Sequence, residues 1–151
     1  MIDNKEIVDD LNDLVKINND RIHGYEESIK DSEDAQLNDL FRHMIIQSEQ
    51  FRSQLAEHIV RIDGTAVADA GSTDLSSKLH RAWIDIKSAV TGKNRDTILS
   101  SVEFGENAAV EAYQDAIEKD NIPAYIKEDL QKQLSELKGA HEKIKALHQA
   151  A

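Results

Sequence analysis

No cysteine occurs among the 151 residues, which excludes disulfides, thiolate metal sites and a cysteine nucleophile. Proline occurs once and the six glycines are scattered, so the residues that interrupt helices are nearly absent. No apolar run approaches the roughly 20 residues that span a bilayer. The opening segment Met1-Ile2-Asp3-Asn4-Lys5-Glu6 carries charges at Asp3, Lys5 and Glu6, no apolar run follows it, and a cytoplasmic location is expected. Basic residues are the minority: 18 Lys and Arg stand against 29 Asp and Glu, for a net charge of −11. Nucleic acid and anionic membranes reward clustered cations, so neither is expected as a partner. What remains, 40% hydrophobic and 31% charged residues, suits one core and a single domain over 1–151.

The apolar residues that are present fall at helical spacing. Asp3 and Glu6 form a capping-box pattern, followed by a stripe of Ile7, Leu11, Leu14, Ile22, Tyr25 and Ile29, with Asn18 in its gap. The run from Lys30 to Asp34 breaks the pattern, and Ser32 is the expected cap of the next helix. A second stripe runs through Leu37, Phe41, Met44, Ser48, Phe51, Leu55, Ile59 and Ile62. After the small-residue stretch Gly64–Ser72, a shorter connector helix carries Leu75, Leu79, Trp83, Ile86 and Val90. Asn94 then caps a helix with Leu99, Val102, Glu106, Ala109, Tyr113 and Ile117 inward. Asn121-Ile122-Pro123 starts the last one, whose stripe reads Ile126, Leu130, Leu134, Leu137, His141, Ile144 and His148. The expected fold is an all-α, ferritin-like four-helix bundle: two antiparallel hairpins joined by a long crossover that contains an extra short helix.

The residues Leu11-Asn12-Asp13-Leu14, Asn18-Asn19-Asp20-Arg21 and Gly24-Tyr25-Glu26 carry a resemblance, together with His80-Arg81-Ala82-Trp83, Gly105-Glu106, Tyr113 and Ala140-His141. The chain resembles a bacterial domain-of-unknown-function family of ferritin-like four-helix bundles. The resemblance implies that fold and a general association with stress responses, but no established activity.

A short set of polar residues lies on the apolar stripes. Asn18, Ser48, Glu106 and His141 fall near stripe centres, Tyr25 and Tyr113 point inward, and Glu26 and Glu103 lie at stripe edges. One reading makes Glu106, His141, Glu103 and Glu26 an iron or manganese site, because carboxylates and imidazoles converging between helices hold metals in this architecture. The other makes Asn18, Tyr25, Ser48 and Tyr113 a buried polar network, with Glu106 and His141 paired. The ligand count favours the network. A dinuclear site uses two Glu-x-x-His motifs, and the sequence has none. The functional expectation is therefore a non-catalytic interaction or structural bundle, with an atypical metal-binding protein or oxidoreductase as the alternative. A homo-oligomer, with a dimer as the guess, follows from fold analogy alone.

Overall fold

A computed structural model describes residues 4–32, 34–62 and 95–150. The expected features at Asp3, Gly64–Ser72, Trp83 and its connector helix, and Asn94 lie outside the described residues. Four helices account for most of what is described: α1 (Asn4–Asp31), α2 (Ala35–Arg61), α3 (Arg95–Ile117) and α4 (Ala124–Ala150). Their lengths of 28, 27, 23 and 27 residues correspond to rods of about 35–42 Å. None is long and apolar enough to cross a membrane.

The α1–α2 turn is closed one step later than the sequence suggests. Asp34, not Ser32, is the N-cap of α2: its carboxylate accepts from the backbone N–H groups of Gln36 and Leu37. Ser32 serves the turn itself, its hydroxyl accepting from the Asp34 backbone N–H at 3.2 Å. The carboxylate wins because it reaches two of the orphan donors of the first turn. At the start of α4, the Pro123 carbonyl accepts from Ile126 and Lys127, and the ring forfeits no helical donor there.

Each helix buries a seam spaced alternately by three and four residues, the repeat of left-handed supercoiled packing. In α1 it runs Ile7, Leu11, Leu14, Asn18, Arg21, Tyr25 and Ser28, all buried. The α2 seam is Leu37, Phe41, Met44, Ser48, Phe51, Leu55 and His58, and the α3 seam Leu99, Val102, Glu106, Ala109, Tyr113 and Ala116. In α4 the buried residues are Ile126, Leu130, Gln133, Leu137, Ala140 and Ile144. That corrects the sequence reading, which placed Leu134 and His141 on the stripe. A strict three-four alternation puts Gln133 and Ala140 inward and leaves His141 at the edge, its side chain 15% exposed.

Cross-helix hydrogen bonds fix the directions. Asp10 meets Lys119 and Asn121, Asn18 meets Tyr113, and Arg21 meets Glu106, so α1 and α3 are antiparallel. Gln47 meets Glu136, Gln54 meets Gln133, and His58 meets Asp129, so α2 and α4 are antiparallel as well. With α1–α2 and α3–α4 also packed together, every neighbouring pair is antiparallel and α2 runs parallel to α3 across the diagonal. The end of α2 and the start of α3 therefore lie at opposite ends of a four-helix bundle.

Candidate functional site

At mid-height the seam is charged. Arg21 and Glu106 are both 0% exposed and face each other across the α1–α3 interface. The guanidinium donates from Nε to Glu106 Oε1 at 2.6 Å and from Nη2 to Oε2 at 3.2 Å, a two-pronged grip that matches the planar fork to the carboxylate. Nη1 donates to Ser48 Oγ at 2.9 Å, and Nη2 approaches Met44 Sδ at 3.7 Å. Ser48 passes the chain on by donating to the Met44 carbonyl. Tyr25 donates its hydroxyl to Glu106 Oε1, and its ring lies 5.6 Å from the guanidinium carbon, within cation–π range. Three helices thus supply one neutralised pair whose polar atoms are served on every side.

A second chain of bonds lies beside it. Asn18 Nδ2 donates to the Tyr113 hydroxyl at 2.9 Å, and that hydroxyl donates to Gln133 Oε1 at 2.6 Å. The Gln133 amide then donates to Gln54 Oε1 at 2.9 Å. Aromatic contacts frame both chains, Tyr25 against Phe41 and Phe51 edge-on to Tyr113.

The electrostatics follow from burial. Removal from water pulls the Arg21 guanidinium down, yet Glu106 more than offsets this and raises it overall. Burial, reinforced by the Glu106 charge, holds the Tyr25 phenol well above its ordinary range. The Tyr113 phenol is also raised by burial, against the lowering effects of the Asn18 bond and Arg21. Arg21 stays protonated under all ordinary conditions, so the positive charge at this point is permanent.

The residues singled out from the sequence divide into three groups. Glu106, Tyr25 and Ser48 meet around Arg21, and Asn18 and Tyr113 meet in the adjoining chain. The partner of Glu106 is Arg21 rather than His141. His141 stands 3.9 Å from Glu103, and Glu103 Oε2 accepts from His148 Nδ1 at 2.9 Å. His148 Nε2 lies 2.8 Å from Asp96, so one imidazole bridges two carboxylates near the end of the bundle. The Glu103 hydrogen bond, opposed by burial and aided by Asp96, raises the His148 pKa. Glu26 is exposed.

Metal chemistry can be tested against this donor set. Among the described residues no three His, Asp or Glu side chains converge as ligands. Both oxygens of Glu106, the most buried carboxylate of the expected set, are already committed to a guanidinium that cannot give up its proton. An iron or manganese ion at Glu106 would have to displace Arg21, leaving a second cation buried beside it. The residues do not fit a metal at this point.

Arg21 is the functional-site residue that the stripe reading passed over. Its signal was the spacing: it lies three after Asn18 and four before Tyr25, both on the seam. A comparison with curated proteins finds no match. The model of DUF2383, described as a domain of unknown function, matches residues 6–119, about three-quarters of the chain. The match takes in α1, α2 and α3 and hence Arg21, Ser48 and Glu106, while α4 lies beyond it. The chain belongs to the DUF2383 family, a domain of unknown function.

Proposed function

We propose that this protein is a ferritin-like bundle with no catalytic role, working through its surface as an interaction or structural protein in the cytoplasm. The ferritin-like assignment draws on the helix directions: parallel α2 and α3 with antiparallel neighbours are what a single long crossover produces. The observation that carries the functional reading is the Arg21–Glu106 pair. In the mid-bundle position where this architecture would place a metal's positive charge, the chain supplies a guanidinium of its own. Such a pair adds little net stability over a well-packed apolar core, but it rewards only one helix register. Register control suits a scaffold that must present fixed outer faces. Association with copies of itself is part of the proposal, and an acidic surface directs it toward protein partners rather than nucleic acid.

The test is elemental analysis of protein purified from its native host without chelators, with light scattering to count chains. Metal well below one ion per chain, in a defined oligomer, is the expected result. Near-stoichiometric iron or manganese overturns the reading. If that metal is then lost on replacing Glu103 and His141, the metal-binding alternative takes its place, since those two residues stand together.

A further inference from the structure

The α2–α4 seam differs from the rest of the bundle. It is bridged by polar side chains, and two buried atoms on it have no hydrogen-bond partner among the described residues: Gln47 Oε1 and His58 Nδ1. Near His58 the two helices enclose a cavity of about 340 Å3, at the small end of the roughly 300–1,000 Å3 typical of ligand pockets. Its most buried lining residues are His58, 7% exposed, and Gln133, 1% exposed. Among the described residues, no apolar one lines it.

Most of its charges are spoken for. Asp129 holds His58 Nε2 at 2.5 Å, and Glu57 takes Arg61 at 3.3 Å. Lys132 and Glu136 are not: they stand one turn apart on α4, both exposed, and neither makes an ion pair among the described residues. The cavity therefore offers one uncommitted cation and one uncommitted anion above a carboxamide and imidazole floor.

We propose that this cavity binds a small zwitterion of the free amino acid class, its carboxylate on Lys132 and its ammonium on Glu136. A simple anion would gain Lys132 but face Glu136, and a simple cation the reverse. A ligand carrying both charges meets both residues at once. The inference is independent of the buried Arg21–Glu106 pair and of any metal. Gln133 joins this floor to Tyr113, so an occupant would press on the same hydrogen-bond chain that crosses the core.

The test records the His58 imidazole resonances of the full chain by nitrogen–proton NMR. A pool of proteinogenic L-amino acids is added at millimolar concentration, then each singly. Acetate, methylamine and glycerol at matched ionic strength provide the single-charge and neutral arms. We expect at least one amino acid to shift the His58 signals saturably, with none of the three controls doing so. Lys132→Ala and Glu136→Ala, both at exposed positions and checked for folding by circular dichroism, should each weaken binding about tenfold or more, the scale of one charge-assisted hydrogen bond. No shift with any amino acid, equal shifts with acetate or methylamine, or undiminished binding in both variants would overturn the proposal.

Discussion

Replacing Arg21 by Met removes the cation and leaves the Glu106 carboxylate at 0% exposure with the Tyr25 hydroxyl as its remaining donor. Breaking a buried pair in this way costs about 3–5 kcal/mol. Replacing Glu106 by Leu strands the guanidinium with Ser48 and a sulfur contact, at a similar cost of about 3–5 kcal/mol. The double replacement strands nothing charged, and apolar substitutes for buried ion pairs are often close to neutral. Its cost should therefore be far below the sum of the singles, with a coupling of about 3 kcal/mol or more. A chain of this length loses about 2–4 °C of Tm per kcal/mol, so each single variant should melt about 6–20 °C lower. Urea denaturation followed by circular dichroism gives the four free energies of the cycle. Additive losses, within about 0.5 kcal/mol, would refute the pairing.

The His148 bridge predicts a pH dependence. Its folded pKa is raised, so its stabilisation is complete below the unfolded value near 6.5 and fades as pH climbs through the folded value. An NMR titration should place the His148 midpoint above 6.5, and a midpoint at or below that value contradicts the bridge. Tyr25 and Tyr113 have folded pKa values above the ordinary 10, so their contribution to stability is complete below pH 10 and is lost progressively above it, where the unfolded chain ionises first. Absorbance at 295 nm should show both phenolates appearing only with alkaline unfolding; their ionisation in the folded protein would contradict the burial. Asp34→Ala should cost about 1 kcal/mol in urea denaturation through loss of the α2 cap, while Ser32→Ala should cost less. Equal losses would return the cap to Ser32.

The four long helices, the hairpin breaks and most of the core were legible because breakers are few and apolar residues recur at helical spacing. The polar interior was legible only in part. Asn18, Ser48 and Glu106 stood out because they interrupt apolar stripes whose neighbours fixed the phase. Arg21 sits in an equally regular place, but an arginine reads as surface, and only its partner across α3 reveals why it is inside. The same preference for apolar residues drew the α4 stripe through Leu134 instead of Gln133, which rotated the apparent core face and brought His141 too far inward. Gln133 is buried because Tyr113 and Gln54 satisfy its amide, and those partners are remote in sequence. The His58–Asp129 contact likewise joins residues 71 apart, a pairing that no local spacing encodes.

The central claim, that Glu106 carries an internal guanidinium, is tested most directly by NMR of the Arg21 side-chain N–H groups under titration with manganous ion. A guanidinium locked onto Glu106 by bonds of 2.6 and 3.2 Å, with no solvent access, should give slowly exchanging Nε–H and Nη–H signals. Those signals should persist, unbroadened, at stoichiometric manganese. Loss of the Arg21 signals at one equivalent, with amide broadening that grows with proximity to Glu106, would place a metal there and contradict the account.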